Sequence, residues 1–235
     1  MRFSILRSLA KRFLPAYRMR PMDVDWQSDP EFCAYLKRFG QSTSMTSGRR
    51  WAVHQLLRLV DSVEGDTAEC GVHKGAMSFL ICKSNEASAI ERTHFLFDSF
   101  EGLSTSDRFD GTHWSRGDLS IDEETDARNL AGCRVQLMRG WIPARFPEVA
   151  DRTFAFVHID VDLYQPTLDS LEFFYPRLGK GGIIVIDDYG FLTCPGATKA
   201  CDEYFAGKPE KPIALVDGGA FVIKGTKSGA RAALI

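Results

Sequence analysis

The sequence predicts an α/β fold in which a mostly parallel, seven-stranded sheet ends in a C-terminal antiparallel hairpin. Three observations predict it. Apolar strand-like runs alternate with amphipathic helix-like runs from about residue 46 onward. Several of those runs end on an acid or a glycine, as strands do where they feed a site at the C-terminal edge of a parallel sheet. Near the end of the chain, two short apolar runs flank Asp217-Gly218-Gly219, a hairpin turn signal.

The elements follow in order. Thr46 or Ser47 caps a helix carrying Trp51, Leu56, Leu57, Val60 and Val63, which Gly65 ends. A strand at 67–72 leads into a helix at 75–83, and a second strand spans 94–98. The polar, Gly-rich stretch 101–120 is longer than an ordinary connection and reads as a lid or binding loop. A helix at 122–130 and strands at 134–138 and 153–160 come next. Pro166 opens a helix whose apolar face is Leu168, Leu171, Tyr175 and Leu178. Gly181 and Gly182 lead into the most apolar strand, 183–186, and a helix at 197–205 follows. The hairpin pairs 213–216 with 220–223. Five parallel strands with crossover helices and this hairpin make a Rossmann-like sheet, whose ligands bind beyond the C-terminal strand ends.

Composition narrows the function. The 235 residues, 44% of them hydrophobic, suffice for one main domain, read as 42–235 behind an N-terminal extension at 1–41. A net charge of −2 argues against a nucleic-acid partner. Cys33, Cys70, Cys82, Cys133, Cys194 and Cys201 contain no CxxC spacing and read as free thiols in a reducing, cytoplasmic setting. Residues 1–22 carry Arg2, Arg7, Lys11, Arg12, Arg18 and Arg20 and no acid, with apolar residues at helical spacing. That basic amphipathic helix packs on the domain or on a partner subunit, giving a homodimer or higher homo-oligomer; the alternative is peripheral membrane contact.

The first strand runs into Glu69-Cys70-Gly71-Val72-His73-Lys74-Gly75. The G-x-G-x-x-G dinucleotide fingerprint is absent, which counts against an oxidoreductase. An acid ahead of the glycines would repel a pyrophosphate and favour a cofactor with a cationic amine. Ser78, on the helix that follows, is assigned to the same site. Asp98 ends the second strand, where an acid accepts ribose hydroxyls or else caps a turn. Ser99 follows it, and Gly140-Trp141 sits just after the third strand.

The strongest local signal pairs His158-Ile159-Asp160-Val161-Asp162 with Ile186-Asp187-Asp188. In an extended chain Asp160 and Asp162 point to one side. Acids converging at one sheet edge repel one another unless a cation joins them. Hard oxygen donors suit magnesium, manganese or calcium. Asp162 is the first choice as general base, with Tyr164 and His158 as alternatives; His158 lies deeper and reads as a buried structural histidine.

Phe97-Asp98-Ser99-Phe100-Glu101-Gly102, Gly140-Trp141-Ile142-Pro143, the His158–Tyr164 segment and Asp187-Asp188-Tyr189-Gly190 together resemble the macrocin O-methyltransferase (TylF/MycF) family. The resemblance covers roughly 42–205. It implies a class I methyltransferase fold and transfer of a methyl group from S-adenosylmethionine to a hydroxyl, often on a sugar of a glycosylated small molecule. It also implies magnesium held by Asp160, Asp187 and Asp188, with Asp162 as base. A looser similarity to catechol O-methyltransferase matches Glu69, Gly71 and Gly75, and assigns Met45, Thr46 and Ser47 to the cofactor's methionyl part. The base lysine of that enzyme falls here on Leu163, which favours Asp162. His113, Trp114 and Arg116 are candidates for substrate contact in the 101–120 loop. A metal-dependent hydrolase and a non-catalytic binding protein are the alternatives; the first leaves Glu69, Gly71, Gly75 and Asp98 without a task.

Overall fold

The computed structural model describes residues 26–41 and 46–226, apart from the side chains of Asp126 and Ala127. The expected N-terminal amphipathic helix and Met45 lie outside the described residues. The chain divides into two compact units, Met1–Thr43 and Ser44–Ile235. In the first, a 3-10 turn at Trp26–Ser28 precedes α1 (Pro30–Arg38). Asp29 caps α1, its Oδ1 accepting the Phe32 N–H at 2.9 Å, and Pro30 takes the first helical position.

The second unit begins with α2 (Ser47–Leu57), whose N-cap is Thr46. It tightens into a 3-10 turn at Arg58–Val60 rather than running on toward Gly65. The buried Arg92 closes that end, donating to the carbonyls of Gly65, Val60 and Asp61. Then come β1 (Asp66–Cys70), α3 (Ala76–Ala87), β2 (His94–Asp98), α4 (Glu123–Asn129) and β3 (Val135–Arg139). They are followed by β4 (Phe154–Ile159), α5 (Tyr164–Arg177), β5 (Leu178–Ile186), α6 (Pro195–Phe205), β6 (Ile213–Ala214) and β7 (Ala220–Ile223). The sheet order is β3-β2-β1-β4-β5-β7-β6. β1 to β5 are parallel, and β7 runs antiparallel between β5 and β6. The order reverses between β1 and β4, and the site belongs at that switch point.

Two expected boundaries move. β5 starts at Leu178, because Phe154 pairs with Leu178 while Phe156 pairs with Ile183, so Gly179 to Gly182 bulge out within the strand. A Cβ at Gly182 would lie 2.9 Å from the Gly179 carbonyl oxygen, which is why glycine stands there. Leu178 therefore belongs to the sheet, not to the helix face expected of it. α5 starts two residues before Pro166, because Asp110 of the long loop caps it, its Oδ1 accepting the Tyr164 N–H at 2.6 Å. The hairpin's first arm stops at Ala214, and Val216 is fully exposed in the turn.

The core lies on the sheet. Phe97, Phe146, Phe154 and Phe174 meet edge-to-face, with centroids 5.0 to 5.6 Å apart for Phe97–Phe146, Phe97–Phe174 and Phe154–Phe174. Val157, Ile159, Ile184 and Ile186, all fully buried, make β4 and β5 the stiff centre. Truncating one such phenylalanine to alanine costs about 3–5 kcal/mol. That rigidity holds the strand ends, and the side chains on them, in register. All six cysteines are free thiols.

Candidate active site

Beyond the C-terminal ends of β1, β2, β3 and β4 lies a cleft of about 230 Å³, lined by Gly71, Asp98, Gly140, Trp141, Asp160 and Asp162 among others. Gly71 and Asp160 meet at the switch point. The Asp160 N–H donates to the Cys70 carbonyl at 2.8 Å, and a Cβ on Gly71, at φ +81°, would sit 1.8 Å from the Asp160 carbonyl oxygen. Only glycine fits. Asp98 braces this turn. Its Oδ2 accepts the N–H groups of Val72 (2.7 Å) and His73 (3.1 Å), and its Oδ1 accepts that of Phe100 (2.8 Å). The acid thus serves the loop and also faces the cleft. Among the described residues, four non-glycine residues have positive φ: His73, Phe100, Leu119 and Asp162. Three of them line the cleft, so the backbone strain gathers at one place, as it does at functional sites.

Four carboxylates gather beside the cleft, in two sets. Donor atoms of His158, Asp160 and Asp187 lie within 4.8 Å of one another, and so do those of Asp162, Asp188 and Cys194. Asp160 and Asp162 thus fall in different sets, although both line the cleft. The chain leaves the extended conformation after Ile159 and turns left-handed at Asp162 (φ 59°), which breaks the expected parity. Asp188 Oδ2 accepts the N–H groups of Val161 (3.1 Å) and Asp162 (2.8 Å), tying the end of β5 to that turn. The Cys194 thiol donates to Asp162 Oδ1 at 3.3 Å, and Trp114 Nε1–H donates to Cys194 Sγ at 3.4 Å.

Electrostatics divide the acids. Burial, then the charges of Asp187 and Asp188, push Asp160 well above the usual carboxylate range. Burial and the charges of Asp162 and Asp187 do the same to Asp188. Burial and Asp160 raise Asp162 to about 7. Asp187 alone is held low: burial works to raise it, but His158, 3.5 Å away, and the charge of Arg49 prevail. Four buried acids, three of them raised by burial and by one another, make an oxygen-rich donor set that a hard divalent cation fits.

The model of the macrocin O-methyltransferase family matches residues 36–224, most of the chain. This chain belongs to the macrocin O-methyltransferase family. It is 32% identical over 159 residues to the demethyldecarbamoylnovobiocin O-methyltransferase of Streptomyces niveus, covering 62% of this chain and 60% of that one. It is 30% identical over 188 residues to a tetracenomycin-C rhamnosyl 4'-O-methyltransferase of Streptomyces olivaceus, covering 74% and 70%. The chain thus spans well under the full length of these curated relatives. Among solved structures, the O-methyltransferase NovP superposes with a TM-score of 0.62 at 25% identity, covering 80% of this chain and 87% of that one. A calicheamicin methyltransferase gives a TM-score of 0.67 at 21% identity, covering 86% and 89%, and shows the shared fold.

In this macrocin O-methyltransferase family member, Gly71, Asp98, Ser99, Gly140, Trp141, Asp160 and Asp162 line the cleft. Glu69 and Ser78 do not. Glu69 is 1% exposed, takes the Ser78 hydroxyl on Oε2 and faces His158 Nδ1 with Oε1 at 3.1 Å. Both oxygens of the Glu69 carboxylate thus face the core and not the cleft. Gly75 (φ 70°) makes the left-handed turn into α3 and is not part of the cleft wall. Thr46 and the buried Ser47 open α2 and are not part of the cleft lining. Asp187 and Asp188 stand beside the cleft, not in its lining. Leu163 is buried, so nothing at the catechol enzyme's lysine position serves as base. His113 and Arg116 are exposed and outside the cleft lining; Leu103, Ser104 and Leu119 carry the loop's contribution instead.

Sequence reasoning missed Arg49, Asp110 and Cys194. Arg49 left a signal: α2 carries Arg49 and Arg50 and no acid in its first turn, where the helix dipole disfavours cations. Such a misfit points to a partner elsewhere in the fold. Asp110 and Cys194 left none, because their partners are distant in sequence.

Proposed function

We propose that this chain transfers a methyl group from S-adenosylmethionine to a hydroxyl of a small glycosylated acceptor, with a divalent cation held by Asp160, Asp187 and Asp188. The observation that carries the reading is the gathering of four carboxylates just past the ends of β4 and β5 at a cleft walled by Gly71, Asp98 and Trp141. The names of the relatives, which act on novobiocin and tetracenomycin precursors, support the acceptor class.

S-adenosylmethionine supplies a methyl group activated on a sulfonium. A hard cation supplies Lewis acidity that lowers the pKa of a hydroxyl and fixes its position. The chain's own groups do the rest. Gly71 lets backbone approach the ligand, and Trp141 and Ile142 offer an apolar wall to a purine ring. Asp98 stands where an acid accepts ribose hydroxyls. Asp162 receives the acceptor's proton at its carboxylate; burial excludes water from it, and the Cys194 thiol fixes one of its oxygens. Leu103, Ser104 and Leu119 close the cleft from the loop side.

Calorimetric titration with S-adenosylmethionine and its demethylated product, followed by magnesium before and after EDTA, tests the reading. Binding of both nucleosides together with one magnesium site lost in Asp187→Ala is the expected result. Absence of nucleoside binding overturns the methyltransferase; nucleoside binding without a cation site removes the metal and leaves Asp162 to act alone.

A further inference from the structure

Glu69 and His158 are a deeply buried pair beside the site, and the proposed chemistry uses neither. Both are at most 1% exposed. They face each other across neighbouring strands, since Glu69 of β1 pairs in register with His158 of β4. One ring nitrogen, Nδ1, lies 3.1 Å from Glu69 Oε1. The other, Nε2, is buried without a hydrogen-bond partner and points at Asp187 Oδ1 across 3.5 Å. Glu69 is itself fixed from behind. Ser78 donates to Oε2, and His94 Nε2 approaches it at 3.9 Å. The ring of His94 is fixed in turn by Thr67 at 2.9 Å, and Asn85 donates to the Thr67 hydroxyl at 2.8 Å. A polar chain thus crosses the sheet interior from α3 through β2, β1 and β4 to the end of β5.

So many polar groups in a core cost stability unless they fix something. An imidazole with a carboxylate on one nitrogen has its ring orientation and tautomer set, and presents the other nitrogen in one direction only. Here that direction is Asp187.

We infer that Glu69 and His158 are positioning residues for the cation site: Glu69 orients His158, and His158 holds the Asp187 carboxylate in place through Oδ1. This rests on the reading of Asp187 as a cation ligand. It explains why an acid precedes the glycine turn although its carboxylate does not face the cleft. It also places the support for the ligand on two adjacent strands inside the sheet, β1 and β4.

The test measures two affinities and one stability on the full chain. Magnesium chloride is titrated calorimetrically into wild type, Glu69→Gln and His158→Gln, S-adenosylhomocysteine is titrated into the same proteins, and the melting temperature of each is recorded. Glu69→Gln keeps the size and one acceptor of the native side chain, so it keeps the measurement open should His158→Gln fail to fold. The expected result is magnesium affinity weakened ~10–100-fold in Glu69→Gln, as for other supports of metal ligands, with nucleoside affinity within twofold of wild type. A merely structural role would lower the melting temperature and weaken both ligands together, and that result overturns the inference. So does magnesium affinity unchanged in Glu69→Gln while wild type binds the ion. No magnesium binding by wild type overturns the cation reading and this inference with it, a result distinct from the other two.

Discussion

Arg49 reaches from the first turn of α2 to the end of β5 and donates through one guanidinium nitrogen to both the side chain and the backbone carbonyl of Asp187, the carbonyl at 3.0 Å. Its guanidinium also lies over the Phe191 ring, 4.7 Å from the centroid. Asp187 thus has His158 on Oδ1 and Arg49 on Oδ2. Arg49 is a cation standing on a carboxylate that the proposed metal would need. Removing it should tighten magnesium: Arg49→Met is expected to lower the Kd about tenfold, equivalent to ~1.4 kcal/mol. Calorimetry reads this directly. An unchanged Kd would mean that the guanidinium swings away at no cost.

The acids predict a pH dependence of stability. Asp160 and Asp188 have folded pKa values above their unfolded ones, so the folded state binds more protons and stability falls as pH rises. Glu69 has the opposite sign. Its pKa, which burial works to raise, is brought down from 4.5 to about 2 by the hydrogen bond from His158 and by the nearby His94 ring, so its contribution is lost as pH falls through that range. Burial opposes the charge on His158, but Asp187 and Glu69 raise it from 6.5 to about 10, so its contribution is present below 6.5 and lost toward 10. Without a divalent cation the melting temperature should therefore peak between about pH 4.5 and 6.5. Magnesium should raise it more at pH 8 than at pH 5, because the cation takes the place of the missing protons. Calorimetric scans with and without magnesium check this; an equal rise at both pH values would contradict it.

Asp160→Asn is expected to abolish methyl transfer, with a loss of at least ~100-fold, while the metal-free protein melts at the same temperature or higher. The amide keeps the shape and removes a charge that burial and its neighbours already disfavour. Full activity would remove Asp160 from the metal site.

The long loop is latched at Asp110, which is 2% exposed and caps α5. Asp110 Oδ2 also accepts the Asp107 N–H at 2.6 Å. Asp110→Ala should cost ~1–2 kcal/mol, as for a lost helix cap, and raise the acceptor KM more than it weakens S-adenosylhomocysteine. Equal effects on both ligands would show that the latch supports the whole site instead of the acceptor side.

Gly71→Ala should unfold the switch point, because the added methyl would collide with the Asp160 carbonyl oxygen at a positive φ. A cost above ~2 kcal/mol and loss of nucleoside binding are expected, read by denaturant melts and titration.

Much of this protein was determined by local sequence. Alternating apolar runs placed every strand of the sheet, and β2 and β7 fell on the predicted residues, because short runs bounded by polar or turn residues leave little freedom. Glycines and acids at strand ends located the cleft, since a parallel sheet opens only there. Tertiary structure decided what local pattern does not encode. It turned Glu69 inward onto His158, set a left-handed turn at Asp162, and brought Arg49 and Asp110 to partners 138 and 54 residues away. The physical reason is that periodicity reports which face of an element is apolar, whereas the partner of a buried charge is set by which strands become neighbours. In this sheet β1, β4 and β5 are adjacent in space but far apart in sequence, so the carboxylates and their counter-charges meet only when the sheet has formed.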